Sequence, residues 1–149
     1  MSIVRDFLLR LHELEWVGIL SARLAVGLLF FLSGQRKLFR ADGRAQMLQT
    51  LQEAGVPFPQ LLTPFVSCVE FVFGGLLVLG ALTELSCLML GANMLVALAT
   101  TRLKTLHGKS AGAWLSGFLY LPEVLYLVIL FWLFFSGPGW LSIDEVLSS

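Results

Sequence analysis

Four stretches of the chain are apolar enough and long enough to cross a membrane as helices. They run over about 16–35, 61–83, 85–102 and 114–136, and a bilayer core requires ~20 apolar residues per helix. The second and third share one apolar run, whose polar break at Thr83-Glu84 predicts a tight turn. The fourth ends at Gly137-Pro138-Gly139, because glycine and proline stop a helix. The pattern predicts an all-α integral membrane protein, a four-helix transmembrane bundle.

The residues before the first span predict an amphipathic helix that lies on the membrane surface. Apolar residues recur there at helical spacing, at Ile3, Val4, Phe7, Leu8, Leu11 and Leu14. A frayed extension of the first span fits the same pattern, so both interpretations stay open. No linker or low-complexity stretch divides the chain, and we expect residues 1–149 to form a single transmembrane domain.

The composition also indicates a membrane protein. Of the 149 residues, 57% are hydrophobic and 13% are charged, whereas a soluble domain carries roughly 25% charged residues. The net charge is zero and no run of basic residues would bind a phosphate backbone, so we expect the lipid bilayer, and no nucleic acid, as a partner. The two cysteines form no Cys-x-x-Cys motif and the two histidines are far apart, so we expect no metal site.

Basic residues predict the orientation in the membrane. They cluster after the first and third spans, at Arg36, Lys37, Arg40, Arg44, Arg102, Lys104 and Lys109, while the opposite side has Arg5 and Arg10. Because cytoplasmic loops carry an excess of Lys and Arg, we expect these loops inside and both termini outside.

Three ionisable residues lie within the predicted spans: Arg23, Glu70 and Glu123. A charge near the centre of a bilayer costs at least a few kcal/mol, so such residues tend to face the protein interior and pair with one another. We therefore expect the three to meet as a buried polar cluster inside the bundle. Pro122 removes a backbone donor and predicts a kink in the fourth span beside Glu123.

Two interpretations of the predicted cluster stay open. It is either a buried ion pair that fixes helix register, or a site that handles a proton or binds a polar headgroup. One arginine between two carboxylates leaves one negative charge in surplus, which favours a ligand-binding role.

A series of short motifs, in this order and spacing, resembles the DoxX family. The motifs are Arg23, Gly34 and Lys37; then Glu70-x3-Gly74 leading into Leu77-x2-Gly80; then Gly137-Pro138-Gly139-x2-Ser142-x-Asp144. The resemblance extends from about Arg23 to Asp144, nearly the whole chain. It implies a four-helix protein of the bacterial inner (plasma) membrane.

The resemblance also implies a function. Members of the family include the membrane subunit of a thiosulfate:quinone oxidoreductase, and others that look like membrane anchors for redox or oxidative-stress assemblies. The chain is then expected to be an accessory subunit of a quinone-linked system, not catalytic alone. No covalently bound cofactor is expected, a quinone is the expected ligand, and a membrane or peripheral redox protein is the expected partner. In this interpretation Arg23 stabilises oxyanion charge, while Glu70 or Glu123 exchanges a proton.

Two other functions fit the sequence. Eukaryotic relatives in the wider superfamily act in receptor assembly, so the first alternative is a non-enzymatic membrane anchor or assembly factor. A small proton-coupled exporter ranks last, because a paired arginine opposes the protonation that such a transporter requires of its glutamate. The sequence leaves open whether the chain forms a homo-oligomer.

Overall fold

A computed structural model describes residues 14–103 and 110–148, without the side chains of residues 102 and 148. Its elements are the helices α1 (Glu15–Phe39), α2 (Ala41–Glu53), α3 (Pro59–Leu79), α4 (Thr83–Ala97), α5 (Ala111–Leu119), α6 (Pro122–Ser136) and α7 (Ile143–Ser148). A π-helical turn, Leu98–Arg102, continues α4. The predicted all-α fold is confirmed. The amphipathic helix predicted at the N-terminus falls almost wholly on residues 1–13, outside the described residues.

Within the described residues, three helices can each cross a membrane by length and composition. They are α1, α3, and α4 with most of its π-helical extension, which correspond to the first three predicted spans. Their exposed surfaces carry large apolar side chains, among them Leu28, Leu32, Val72 and Leu95. Such surfaces suit contact with lipid tails.

The fourth predicted span is not one continuous helix. It consists of α5 and α6, which are bent by 62° at a break. Leu121 has extended backbone angles (φ −70°, ψ 126°), since a residue before proline is disfavoured in the α region. The predicted kink at Pro122 is therefore present, but it interrupts the helix over Tyr120 and Leu121.

The break determines how the last span can cross. At 1.5 Å per residue, α6 covers only about 22 Å, which is short of a hydrocarbon core of ~30 Å. Projected across the 62° bend, α5 adds roughly 6 Å along the α6 axis. The bent pair together approaches the thickness of the core, which α6 alone does not.

Between the first two predicted spans, where the apolar pattern predicts no span, the structure has a helix. Arg40 is extended (φ −114°, ψ 131°) and separates α1 from α2. The helix α2 buries Gly43 and Leu51 and exposes most of its polar residues. Because it is polar and only 13 residues long, it lacks the apolar pattern that marks a span.

Glycines bring α1 and α3 into backbone contact. A Cβ atom on Gly27 would lie 2.9 Å from the backbone nitrogen of Val78, and one on Gly74 would lie 2.5 Å from a backbone nitrogen of α1. A Cβ atom on Gly34 would collide with the backbone of Phe71. Small residues of this kind let membrane helices approach closely, and van der Waals packing then holds them together.

The core of the bundle is apolar and includes residues from α1, α3, α4 and α6. Its buried members are Ile19, Val26, Phe30, Leu77, Cys87, Leu90, Met94, Leu130 and Leu133. Cys87 is thus a packing residue, and both it and the exposed Cys68 are free thiols.

The close packing predicts that alanine substitutions at two different glycines change the free energy of unfolding by different amounts. Gly34→Ala should lower the free energy of unfolding by roughly 1–3 kcal/mol, as overpacking does, although alanine favours a helix. Gly91→Ala on α4 is the matched control, because nothing lies within 4 Å of its added Cβ. Thermal unfolding of the purified protein in detergent measures both. Equal midpoints for the two variants would contradict the backbone contact at Gly34.

Candidate functional site

Glu70 is a buried carboxylate with partners from two helices. Only 3% of the residue is exposed. Lys37 Nζ donates to both carboxylate oxygens, at 2.8 and 2.7 Å, and Ser33 Oγ donates to Oε2 at 2.9 Å. Asn93 Nδ2, from α4, donates to Oε1 at 3.2 Å. The charge of Glu70 is therefore neutralised, and both of its oxygens accept hydrogen bonds.

Helix geometry explains why these groups meet. Ser33 and Lys37 are four residues apart on α1 and so lie on one face. Gly34 lies between them and removes the side chain that would hold α3 away. Glu70 on α3 can then reach both donors directly.

A pocket of about 510 Å³, lined by both polar and apolar groups, adjoins Lys37 between α1 and α2. Its polar lining residues are Ser33, Arg36, Lys37, Gln46 and Thr50, and Leu32, Gly43 and Met47 complete it. The Lys37 side chain is 22% exposed, whereas that of Glu70 is 4% exposed. The Lys37 side chain therefore lines the pocket, whereas its buried partner Glu70 is not among the lining residues.

The wall that α2 contributes is fixed to α1. A Cβ atom on Gly43 would lie 2.6 Å from the carbonyl oxygen of Arg36. Arg36 Nη2 donates to Gln46 Oε1 at 3.1 Å, and Arg44 Nη2 donates to the carbonyl of Leu38 at 2.6 Å. These contacts hold the pocket open at a defined width.

Arg23 belongs to a second polar site, at the opposite end of the bundle. It is 1% exposed, and its guanidinium donates to the backbone carbonyl of Pro138 and, at 2.7 Å, to that of Leu141. Gly80 faces the guanidinium, and a Cβ atom there would lie 2.6 Å from Arg23 Nη1. Gly80 also has a positive φ of 64°. The turn after α3 therefore requires glycine for both its conformation and the space it leaves.

Asp144 completes this second site. Its carboxylate accepts hydrogen bonds from the backbone N–H groups of Leu82 and Thr83, at 2.8 and 2.9 Å, and from the hydroxyl of Thr83 at 2.9 Å. Burial alone would raise the pKa of the Asp144 carboxyl. The hydrogen bonds from Thr83 and Leu82 and the charge of Arg23 outweigh burial and lower that pKa. Asp144 therefore remains a carboxylate beside the buried arginine.

The prediction that Arg23, Glu70 and Glu123 form one cluster is wrong. Arg23 binds the segment after α6, and Glu70 binds Lys37, which lies about 21 Å from Arg23 along α1 at 1.5 Å per residue. Glu123 is half-buried in the first turn of α6, directly after the break. Arg23 and Lys37, the partner of Glu70, lie at different levels of α1, so each is paired by the element that reaches its level. Whether any of the three binds a ligand stays a prediction.

The family motif residues have defined places in the structure. Gly34 and Gly74 form the contact between α1 and α3. Gly137 ends α6 with a positive φ, and Gly139 also has a positive φ. Ser142 is buried, and its hydroxyl donates to the carbonyl of Gly139 at 2.8 Å. Most of these positions shape the backbone around the two polar sites.

Ser33 and Asn93 were not predicted as partners of Glu70, and no partner was predicted for Lys37. Asn93 carried a usable signal, because it is an amide within an apolar span and such a group requires a hydrogen-bond partner in the bundle. The spacing of Ser33 and Lys37 was a second signal. Neither signal tells which residue of another helix lies opposite.

Comparison with known proteins identifies the family. The family model of DoxX matches residues 18–103, which is more than half of the chain. The chain belongs to the DoxX family. It is also similar to a protein of Mycobacterium tuberculosis (strain ATCC 25618 / H37Rv) described as uncharacterized membrane protein Rv3486. That protein is 30% identical over 146 residues, covering 93% of this chain and 86% of the relative. No solved structure matches the chain.

The DoxX match places the chain among multi-pass membrane proteins, in agreement with its apolar helices. The matched region contains α1 to α4, and with them Arg23 and the whole Lys37–Glu70 site. Pro138 and Leu141, whose carbonyls bind the Arg23 guanidinium, lie beyond the matched residues.

The Lys37–Glu70 pair predicts a non-additive result in a double-mutant cycle. Lys37→Met leaves the Glu70 carboxylate buried without a cation and should cost roughly 3–5 kcal/mol of unfolding free energy. Adding Glu70→Gln removes the uncompensated charge, so the double variant should recover much of that loss. Thermal or denaturant unfolding in detergent measures the cycle. Additive losses in the double variant would contradict a direct pair.

The lowered pKa of Asp144 predicts a dependence of stability on pH. A carboxyl whose folded pKa lies below its unfolded value of about 3.9 contributes stability above that value. The contribution is lost as the pH falls through the folded pKa. Between about pH 6 and about pH 3, the unfolding midpoint of wild type should therefore fall more than that of Asp144→Asn. The other carboxyls titrate in both proteins, and parallel curves would refute the assignment to Asp144.

Proposed function

We propose that this DoxX-family protein is a cofactor-free membrane subunit that binds the headgroup of a quinone beside the Lys37–Glu70 pair. It would serve a quinone-linked redox or oxidative-stress system and would not be catalytic alone. The observation that carries the proposal is the position of the pair. A buried carboxylate is paired with a lysine whose side chain lines a pocket of about 510 Å³.

The chemistry of the pocket wall favours a ligand with carbonyl oxygens. Arg36 and Lys37 carry only donors, and the amide nitrogen of Gln46 can donate as well. A quinone headgroup has two carbonyl acceptors. Leu32 and Met47 give the same pocket an apolar side against which a ring can pack.

Lys37 is the residue suited to handle a proton. Reduction of a quinone to a quinol takes two electrons and two protons, and charge develops on the carbonyl oxygens. In the proposal a redox protein partner supplies both electrons. The Lys37 ammonium donates one proton to one of these oxygens, and water at the mouth of the pocket donates the second proton to the other oxygen. Glu70 keeps the ammonium in place at 2.7 Å, and water at the mouth of the pocket returns the proton to Lys37.

The position of the pocket in the membrane supports the same ligand. It lies at the end of α1 where the polar helix α2 begins, and therefore near one membrane surface. A headgroup can bind there while an isoprenoid tail stays in the bilayer. From the excess of Lys and Arg at this end, we propose that it faces the cytoplasm of a bacterial inner membrane and that both termini lie outside.

The alternative function is a non-enzymatic anchor or assembly factor. The second polar site favours it, because Arg23 is bound by carbonyls of the chain itself and its contacts serve the fold. A protein partner that copurifies equally with wild type and Glu70→Gln, without quinone, would support this alternative.

Quinone binding by the protein in lipid nanodiscs tests the proposal. We expect wild type to retain a quinone that mass spectrometry detects in an organic extract, and to bind a short-chain quinone in titrations. Gln46→Leu removes the Nε2 donor from the pocket wall, together with the Arg36–Gln46 hydrogen bond. It should weaken binding about fivefold, as loss of a hydrogen bond worth ~1 kcal/mol implies.

Gln49→Leu is the matched control for Gln46→Leu. It is the same change three residues away on α2, and Gln49 bonds Glu53 on the exposed surface. We expect its affinity to equal that of wild type. Absence of quinone binding by wild type would refute the function, and equal losses in both variants would place the ligand outside this pocket.

A further inference from the structure

The chain after α6 turns its polar groups toward the bundle. The carbonyls of Pro138 and Leu141 accept hydrogen bonds from buried Arg23. Ser142 is 3% exposed. The Asp144 carboxylate accepts hydrogen bonds from two backbone N–H groups where α3 turns into α4. The backbone N–H of Asp144 donates to the carbonyl of Gly80 in the same turn, at 3.0 Å.

The large apolar side chains of the same segment face outward. The exposed fractions are 69% for Trp140, 71% for Leu141, 73% for Val146 and 79% for Leu147. A segment that lies in water generally has the reverse arrangement, with polar side chains outside. A segment in lipid must satisfy its backbone groups inside the protein and can leave its apolar side chains outside.

Two leucines at this end have a backbone conformation that L residues rarely adopt. Leu141 has a φ of 60° and Leu82 a φ of 49°. Glycine or asparagine usually occupies such positions. Both leucine side chains are more than half exposed, at 71% and 55%. In water, neither the backbone conformation nor the exposure would favour leucine over glycine or asparagine at these positions. Contact with lipid tails would favour leucine, because it removes the apolar surface of the side chain from water.

We propose that residues 137–147 form an embedded cap, a non-spanning segment that lies in the membrane with lipid as its partner. Trp140 sets its depth, since tryptophan is enriched at the boundary between hydrocarbon and headgroups. The exposed residues Glu84 and Glu145 mark where headgroups and water begin.

Continuity of the apolar surface favours lipid over a second protein chain. Leu79 at the end of α3 is 56% exposed and Leu85 at the start of α4 is 44% exposed. They flank the turn to which Asp144 is bound. The outward face of the cap thus adjoins the lipid-facing ends of two spans. The cap would seal Arg23 from both lipid and water.

Quenching of Trp140 fluorescence in phosphatidylcholine vesicles tests the embedded cap. The vesicles carry bromine atoms on the acyl chains near the headgroups, and iodide is the quencher in water. The signal of Trp140 is the difference between wild type and Trp140→Phe, and Trp132→Phe gives the same difference for a residue of the last span. We expect bromine to reduce the Trp140 signal by roughly twofold, as for an interfacial tryptophan, and iodide to have little effect.

Two results would overturn the proposal. Quenching by iodide without quenching by bromine would place Trp140 in water, and quenching by neither would mean that protein, such as a second copy, covers it. If Trp140→Phe does not fold, Leu147→Trp in the wild-type chain places a reporter at another exposed position of the cap. The added fluorescence should then show the same pattern.

Discussion

A helix that carries charge inside a membrane must find its counter-groups within the protein, and α1 carries two such charges. Lys37 is neutralised by Glu70 of α3, and Arg23 is bound by carbonyls of the segment after α6 and lies near Asp144. Removing either partner would leave a buried charged group uncompensated, at a cost of several kcal/mol. The two charges thereby connect α1 to both the middle and the end of the chain.

Close contact between α1 and α3 makes the first pairing possible. Gly34 lies between Ser33 and Lys37, and its missing side chain lets the α3 backbone approach. A larger residue there would separate the donors from the Glu70 carboxylate. The packing of the two helices and the electrostatics of the site therefore depend on the same residue.

The two polar sites differ in what their surroundings leave accessible. At Arg23, backbone carbonyls of the chain occupy two guanidinium donors, and Gly80 closes the space beside it. At Lys37, the partner carboxylate is buried but the lysine side chain lines a pocket. This difference, rather than the presence of a buried charge, is the reason to propose ligand binding at Lys37 and a structural role for Arg23.

The spans were predictable because each depends only on a local run of apolar residues, and the kink was predictable because Pro122 lacks an N–H group. The pairing of charges was not, because it depends on which residues lie at the same level of different helices. The pocket was hidden for a related reason. Its outer wall is α2, a polar helix that Arg40 turns back against α1. A run of polar residues predicts a loop, and the sequence alone contains no sign that Gly43 can pack on the carbonyl of Arg36. That contact turns the end of a span into a pocket. The proposed ligand site therefore lies beside Lys37 rather than among Arg23, Glu70 and Glu123.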